Sequence, residues 1–322
     1  MKRSRNRWIS YLTDIAMVPV ALCFGPFALG LSKLAERAPK SRSMLDRFGV
    51  SLVRHHYYEP IVRASDLYRP LSAVRELLGL DLAPETQFSF LEGLSFREEL
   101  LAIPEEDAGG YFFNNNSFGS GDGEILYSVI RKYKPSRLLE IGSGFSTRIA
   151  RLAIEANCLE DKNYTCRHIC VEPFEQPWLE NLGIEVIRRK VELVAVELFS
   201  ELEANDILFI DSSHVIRPQG DVIHEYLNLV PTVAPGVLIH VHDIFTPRDY
   251  PEAWVLDQRM MWNEQYLLEA FLSFNSQFEI LCALNWLTHE HREKLADAAP
   301  YLFKSKEREP GSFWFRRKLI SL

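Results

Sequence analysis

The chain has 322 residues, of which 47% are hydrophobic, 12% aromatic and 25% charged. This composition is typical of a protein that buries an extensive core, and it excludes a disordered, collagen-like or disulfide-stapled chain. The five cysteines are few and scattered, which predicts a reducing compartment. The net charge of −8 argues against a nucleic-acid partner, because proteins that bind nucleic acids generally carry a strongly basic domain.

Positive charge is concentrated at the start of the chain. Residues 1–56 carry a net charge of +7, whereas the remainder carries −15. The uncharged stretch 15–32 is close to the ~20 residues that span hydrocarbon, and Pro19 and Pro26 are expected to break or kink a helix there. Residues 1–32 therefore predict contact with a membrane surface, as an in-plane or re-entrant anchor or as a single span. A helix packed on the protein's own core and a cleaved signal peptide stay open as alternatives.

We divide the chain into three parts. Residues 1–43 form the basic and apolar segment with its membrane contact, and residues 44–110 form an accessory helical region. Residues 111–322 alternate between apolar strands and amphipathic helices, which predicts a doubly wound α/β domain with a mostly parallel sheet. Helices are predicted at about Ser146–Cys158, Gln176–Leu182 and Gln219–Leu229. Strands are predicted at Arg137–Ile141, Arg167–Val171, Ile184–Ile187, Ile207–Asp211, Val237–Val241, Phe278–Leu284 and Phe313–Arg317, the last two as an antiparallel pair at the sheet edge.

A glycine-rich turn follows the first predicted strand. The strand runs directly into Gly142-Ser143-Gly144 and then into a helix, and such glycines let the backbone approach a nucleotide cofactor closely. Glu172 ends the next strand, where a carboxylate can accept hydrogen bonds from both hydroxyls of a ribose. A dinucleotide fingerprint requires a third glycine where Thr147 stands, so the turn disfavours NAD.

Four tracts of the sequence resemble the successive motifs of the class I S-adenosylmethionine-dependent methyltransferases. They are EIGSGFST (140–147), VEPF (171–174), DILFIDSSH (206–214) and GVLIHVHDIF (236–245). The group most similar to them includes bacterial sugar and macrolide-sugar O-methyltransferases, and the resemblance covers roughly residues 111–318. It implies a seven-stranded sheet with an antiparallel last strand, preceded here by an N-terminal helical extension.

The resemblance also implies where the cofactor S-adenosyl-L-methionine binds. The glycine turn would border the methionine part, the start of the following helix would offer hydroxyls, and the carboxylate after the second strand would hold the ribose. The cofactor-binding residues implied in this way are Glu140, Gly142, Ser143, Gly144, Ser146, Thr147 and Glu172. Many relatives carry an acidic residue followed by a small one after the third strand. This chain reads Arg-Lys-Val-Glu at 189–192 instead, so the adenine contacts are not assigned.

Acidic residues and histidines close the fourth and fifth strands. Neighbouring parallel strands lie ~4.8 Å apart, so Asp211, His242 and Asp243 are expected to converge. Metal-dependent relatives place acidic ligands at these ends, which implies a divalent ion bound by the three residues. Mg²⁺ is the choice for oxygen ligands, and a histidine ligand shifts it toward Mn²⁺, Fe²⁺ or Zn²⁺. His214 stands where sugar methyltransferases carry a general base, so His214 and Asp211 are the candidate catalytic residues. His240 is predicted to be buried.

The predicted function is metal-assisted O-methylation of a sugar or another small hydroxylated acceptor, such as a glycan precursor. The predicted location is the cytoplasm, with attachment to the cytoplasmic face of a membrane, because the cofactor is made there. One alternative is a metal-dependent hydrolase built on His240-x-His242-Asp243. Another is a non-catalytic, membrane-anchored protein with a methyltransferase-like fold. Trp254 and Trp262 are expected either to line a sugar-binding lid or to belong to the core. The acceptor and the oligomeric state are not predicted.

Overall fold

The computed structural model describes residues 2–34, 39–53, 56–174 and 176–319. The chain divides into two compact units between Arg63 and Ala64. The three-part division at residues 43 and 110 stays a prediction, since the border of the compact units falls inside the accessory region.

The first unit contains the helices α1 (Lys2–Leu34) and α2 (Pro39–Asp46). Pro19 and Pro26 lie inside α1 without ending it, so they do not break the helix, and the kink expected at them stays a prediction. Each proline removes one hydrogen bond, and the bonds of the turns on either side maintain the helix. From Leu12 to Lys33 the helix is long and apolar enough to cross a membrane, by its length and composition, and this stretch is not buried.

The second unit opens with a segment that has little regular structure. It contains a 3₁₀ turn at Ala64–Asp66 and the helices α3 (Pro84–Glu92) and α4 (Arg97–Ala102). Pro84 begins α3, because a proline at the first helical position lacks only a hydrogen bond that would be unmade anyway. Phe90 and Leu94 pack into the main core, so α3 belongs to the body of the second unit.

The remaining elements alternate between helices and strands. In chain order they are α5 (Asp122–Tyr133), β1 (Arg137–Ile141), α6 (Phe145–Glu160), β2 (Arg167–Val171), β3 (Glu185–Ile187), α7 (Glu197–Ser200), β4 (Ile207–Ile210), α8 (Asp221–His224), β5 (Leu238–Val241), α9 (Glu264–Leu272), β6 (Phe278–Ala283), α10 (Leu284–Glu290), α11 (Pro300–Lys304) and β7 (Phe313–Arg317). Two π-helical turns lie at Glu225–Leu229 and Ala253–Asp257. The helix predicted at Gln176–Leu182 is only a 3₁₀ turn at Leu179–Leu182, which Gly183 ends with a positive φ of 65°.

The seven strands form one sheet in the order β3-β2-β1-β4-β5-β7-β6. Strands β1 to β5 are parallel to one another, and β7 is antiparallel to both β5 and β6. The predicted fold class is confirmed, including the antiparallel pair at one edge. The last strand is inserted between β5 and β6, so that β6 forms the edge.

Alternate residues of the central strands pack on opposite faces of the sheet. In β4, Phe209 joins the cluster on the side of α5 and α6, and Leu208 joins the cluster on the side of the Glu225–Leu229 turn and α9. The order of the strands reverses between β1 and β4, and ligand crevices of open α/β sheets lie outside the carboxyl ends of the strands at such a point.

Candidate active site

The glycine turn after β1 is shaped by the end of β4. The backbone N–H of Asp211 donates a hydrogen bond to Ile141 (2.9 Å), and that of Gly142 donates to Val171 (3.1 Å). Gly142 has a φ of +83°, and a Cβ atom there would overlap the carbonyl oxygen of Asp211. Glycine is therefore required at this position by the neighbouring strand as well as by any ligand.

Several predicted cofactor residues lie behind the turn and support it. Glu140 is fully buried and accepts a hydrogen bond from Thr147 Oγ1 (2.6 Å), which in turn accepts one from the N–H of Gly144 (3.1 Å). Ser146 is also buried. None of these four residues is among those lining the cavity in the described part of the chain. Their direct contact with a cofactor stays a prediction.

A cavity of about 370 Å³ opens at the carboxyl ends of β1, β2 and β4. Its volume lies within the range of small-molecule sites, ~300–1,000 Å³. Gly142 and Glu172 line it, as do residues 190–192, which form the unassigned part of the cofactor site. The Glu172 carboxylate accepts hydrogen bonds from the N–H of Phe174 (3.0 Å) and from the Ser143 hydroxyl (3.4 Å). Two predicted cofactor residues, Gly142 and Glu172, are thus brought to one cavity.

A second group of polar side chains lies at the ends of β4 and β5. His214 Nε2 is 3.2 Å from Asp211 Oδ1 and 3.7 Å from Asp243 Oδ2. One donor atom from each of these three residues lies within 4.8 Å of the others, close enough to hold a metal ion. His242 packs its ring on Phe118 (centroids 5.0 Å), and its Nε2 lies 3.4 Å from Asp243 Oδ1. The ligand set Asp211, His242 and Asp243 stays a prediction, and the loop after β4 brings His214 to the same two aspartates.

The backbone of this cluster has an unusual conformation. His214 and Asp243 have φ angles of 59° and 56°, in the left-handed region that non-glycine residues rarely adopt. Such conformations cost about 1–3 kcal/mol each and are concentrated at functional sites. Gly311 packs directly on Asp243, where a side chain would collide with its backbone.

Glu264 is a member of the site that the sequence pattern did not predict. Its Oε2 accepts a hydrogen bond from His214 Nδ1 (2.8 Å), and its Oε1 accepts one from the Tyr226 hydroxyl (3.0 Å). Glu264 and Tyr226 are fully buried, and His214 is nearly so. No local pattern pointed to Glu264 in advance. It is an acidic residue at the start of an apolar helix, and it follows a loop that contains aromatic residues.

The clustered charges shift the ionisation of the site. Burial lowers the pKa of His214, but its hydrogen bonds to Asp211 and Glu264 outweigh this effect and raise the pKa well above its ordinary value. Burial raises the pKa of Asp211, yet the nearby imidazoles of His242 and His214 bring it down to about 2. Burial raises the pKa of Asp243. Without a bound cation, the His214 imidazole therefore holds a proton beside these carboxylates, whereas a divalent ion between Asp211 and Asp243 would supply the positive charge instead and lower the pKa of His214.

Aromatic side chains form a wall beside His214. The ring of Trp262 lies 4.4 Å from that of His214, and Trp254 packs at 5.1 Å on Trp262 in an edge-to-face contact. Phe245 supports Trp254 from the buried side at 5.3 Å. Both tryptophans are only partly buried, and Trp254 lies on the π-helical turn Ala253–Asp257, a form of helix that is frequent at functional sites.

Two other histidines lie outside the site. His240 is fully buried as predicted, stacked on Phe209 (4.2 Å) and hydrogen-bonded to Ser312 (3.0 Å). Because His240 lies in the core, one of the three side chains on which the hydrolase hypothesis is built does not reach the site. His168 lies with Cys170 and Glu140 in a buried group whose donor atoms are also close together. The Cys170 thiol donates to Glu140 (3.0 Å), so this group has an internal hydrogen-bonding role.

A family model described as a methyltransferase domain matches residues 139–244, from β1 through the glycine turn to the end of β5. The chain belongs to the class I S-adenosylmethionine-dependent methyltransferases. An uncharacterised protein of Archaeoglobus fulgidus is 30% identical to this methyltransferase over 168 residues, which cover 47% of this chain and 74% of the archaeal one.

A solved structure is also similar to this methyltransferase. It is an O-methyltransferase from Bacillus cereus in complex with SAH, 14% identical, with a TM-score of 0.38 over 72% of this chain and 91% of the other. At this TM-score the likeness is too low to align individual site residues.

Proposed function

We propose that this methyltransferase transfers a methyl group from S-adenosylmethionine to a hydroxyl of a small, sugar-like acceptor, with the help of a divalent metal ion. The observation that carries the proposal is the position of His214, whose Nε2 lies beside Asp211 and Asp243. Asp211 also lines the cofactor cavity, so a proton acceptor and a cofactor site lie next to each other.

The cofactor is assigned to the cavity that Glu172 lines. The donor methyl group is already activated by the sulfonium charge, so the protein mainly supplies alignment and removal of the acceptor proton. The Glu172 carboxylate is the candidate partner of the ribose hydroxyls. Residues 190–192 lie on the cavity wall and are candidates for the nucleoside contacts that the sequence did not assign.

The donor atoms at the second group fit a divalent ion. Two carboxylate oxygens, from Asp211 and Asp243, lie within 4.8 Å of each other and of His214 Nε2, and such oxygen ligands suit Mg²⁺ or Mn²⁺ while Nε2 stays available to accept a proton. Asp211 and Asp243 would hold the ion. Bound there, it would offset the carboxylate charges and make an acceptor hydroxyl more acidic.

His214 is assigned the removal of the acceptor proton. Its Nδ1 is hydrogen-bonded to Glu264, so the nitrogen that faces the two aspartates is Nε2. Proton transfer to a positioned imidazole contributes ~10²–10⁴-fold to such reactions. The proton would therefore move from the acceptor oxygen to Nε2 as the oxygen attacks the methyl carbon and the sulfonium becomes a thioether.

The aromatic wall supports a ring-shaped acceptor without negative charge. Trp262 and Trp254 present partly exposed ring faces beside His214, and such faces pack against the apolar face of a sugar ring. Asp211, Asp243 and Glu264 make the region acidic, which disfavours phosphorylated or carboxylated acceptors by like-charge repulsion. A neutral ring with adjacent hydroxyls meets both requirements, since it offers an apolar face to the tryptophans and carries no negative charge.

Helix α1 supports attachment to a membrane by a single span. Between Leu12 and Lys33 the described side chains are not buried, and the exposed apolar residues Leu22, Phe24 and Phe27 point in different directions around the axis. A helix lying in the membrane surface needs one strongly polar face, which this stretch lacks. A span with the catalytic unit on the cytoplasmic side would suit an acceptor carried on a lipid, such as a glycan precursor.

The proposal is tested first by calorimetric titration with S-adenosylhomocysteine, with and without Mn²⁺. We expect binding of the nucleoside and a separate binding of Mn²⁺. A panel of methyl glycosides, sugar phosphates and catechol then follows, with release of S-adenosylhomocysteine as the readout. Turnover of neutral glycosides that depends on Mn²⁺ or Mg²⁺ supports the assignment. Ester cleavage without nucleoside binding would instead favour the hydrolase, and binding of neither ligand would favour a non-catalytic role.

A further inference from the structure

The start of α9 holds His214 from three directions. The backbone N–H groups of Asn263 and Glu264 donate hydrogen bonds to the carbonyl oxygen of His214, at 2.9 and 3.2 Å. The Asn263 side chain accepts a hydrogen bond from the N–H of Ile216 at 2.6 Å, and Trp262 packs on the face of the imidazole. Three consecutive residues therefore fix the loop after β4 in its left-handed conformation at His214.

Glu264 is the member of this group that acts on the imidazole nitrogen. Its carboxylate accepts hydrogen bonds from His214 Nδ1 and from the Tyr226 hydroxyl. The preceding residue, Asn263, is the N-cap of the helix and makes no side-chain cap hydrogen bond. A fully buried carboxylate is costly unless it is paired and hydrogen-bonded, and Glu264 uses one oxygen for each partner. Both carboxylate oxygens of Glu264 are thus used by side-chain partners, and one of these is the Nδ1 of His214.

We propose that Glu264 is a positioning residue, which keeps a proton on Nδ1 of His214 and turns Nε2 toward Asp211 and Asp243. The inference rests on the proposed function only in giving His214 a chemical role. It holds whether Nε2 accepts a proton or binds the metal, because both require the outer nitrogen to be fixed by a partner. Tyr226 holds the second carboxylate oxygen and so sets the direction from which Glu264 approaches.

The test compares Glu264→Gln with a matched control, Glu225→Gln. Glu225 is equally buried in the same region, but its carboxylate accepts from Ser212 (3.1 Å) and makes no hydrogen bond to His214 among the described contacts. The full-length protein is labelled with ¹⁵N-histidine, and the Nδ1–H proton of His214 is observed by NMR without metal, assigned by its loss in His214→Gln. Mn²⁺ affinity is measured by EPR, S-adenosylhomocysteine affinity by calorimetry and folding by thermal unfolding.

In the wild type and in Glu225→Gln we expect a downfield, slowly exchanging Nδ1–H resonance. In Glu264→Gln the amide oxygen can still accept from Nδ1 but is a weaker acceptor, so the resonance should move upfield and exchange faster, and the Kd for Mn²⁺ should rise ~10–100-fold, with unchanged affinity for S-adenosylhomocysteine. In Glu264→Asp the carboxylate no longer reaches Nδ1, so this variant, which also serves if Glu264→Gln does not fold, should lose the resonance.

Folded variants of Glu264 whose Nδ1–H resonance keeps the wild-type chemical shift and exchange rate would overturn the inference. Absence of the resonance from the wild type would do the same. The proposed function fails differently, because a wild type that shows the resonance but binds no Mn²⁺ removes the metal and leaves the positioning of His214 intact.

Discussion

Asp243 contributes one carboxylate to the cluster at the ends of β4 and β5, and it is absent from the cofactor cavity lining in the described chain. Replacing it by asparagine removes a charge and an oxygen donor without changing the shape of the side chain. We expect Asp243→Asn to weaken Mn²⁺ binding at least tenfold, measured by EPR, with S-adenosylhomocysteine affinity unchanged within twofold. Asp257→Asn, on the exposed side of the π-helical turn, serves as the control and should bind Mn²⁺ as the wild type does.

The proposed cofactor site is tested by a substitution at Glu172. Truncation by Glu172→Ala would remove the charge-assisted hydrogen bonds that we propose to the ribose, each worth about 1.5–3 kcal/mol. The Kd for S-adenosylhomocysteine should therefore rise by roughly tenfold or more in calorimetry. Glu185→Ala removes a carboxylate from β3 that pairs with Arg167, and it should leave that Kd unchanged. Equal affinities of Glu172→Ala and the wild type would exclude the ribose role.

The junction of β1 and β4 predicts opposite outcomes for two neighbouring glycines. An added methyl group at Gly142 would overlap the Asp211 carbonyl and would also require a side chain at a φ of +83°, whereas a Cβ at Gly144 would meet open space. We expect Gly142→Ala to lower the free energy of unfolding by about 2 kcal/mol or more, and Gly144→Ala to change it by less than about 1 kcal/mol. Urea denaturation of both variants measures the difference.

Helices α5 and α11 are joined through one buried carboxylate. Glu124 accepts hydrogen bonds from the N–H groups of Gly121, Tyr301 and Leu302, and burial raises its pKa to about 7. The folded protein thus holds a proton that the unfolded chain releases near pH 4.5. The group's contribution to stability is complete below that pH and is lost as the pH rises through about 7.

The stability of wild type relative to Glu124→Gln should therefore fall between pH 4.5 and pH 8, by roughly 3 kcal/mol. Denaturant unfolding of both proteins at several pH values measures this difference, because the contributions of all other groups cancel in the comparison. A difference that stays constant over this range would contradict the shifted ionisation of Glu124.

The elements that the sequence predicted are those with a strong local pattern. Strands β1, β4 and β5 are mostly apolar and buried on both faces, and the unbroken run of β4 indicates a strand by its hydrophobicity alone. Glu264 was missed because its contact with His214 joins residues 50 positions apart, which no local spacing reveals. His242 was predicted as a ligand, and His214 as the general base, from the resemblance to metal-dependent relatives, whereas the left-handed turn that brings His214 beside both aspartates leaves no signal in the local pattern.

At the scale of the whole molecule, residues 1–63 and the catalytic unit form separate compact bodies. We expect a chain that starts at Ala64 to be released from membranes and to retain S-adenosylhomocysteine binding, because the cavity is lined by described residues from 141 onward. The full-length protein should stay with the membrane fraction in high salt and be extracted by detergent, since apolar contact with lipid is insensitive to salt. Free solubility of the full-length protein would rule out the span.

Asp211 belongs to both halves of the site through different atoms. Its backbone contacts the glycine turn, and its carboxylate lies beside His214. A residue shared in this way couples two binding equilibria, and thermodynamic linkage makes the coupling reciprocal. Whatever factor S-adenosylhomocysteine applies to the Kd for Mn²⁺, Mn²⁺ must apply to the Kd for the nucleoside. We expect this shared factor to differ from one, so that each ligand changes the affinity of the site for the other through a single residue.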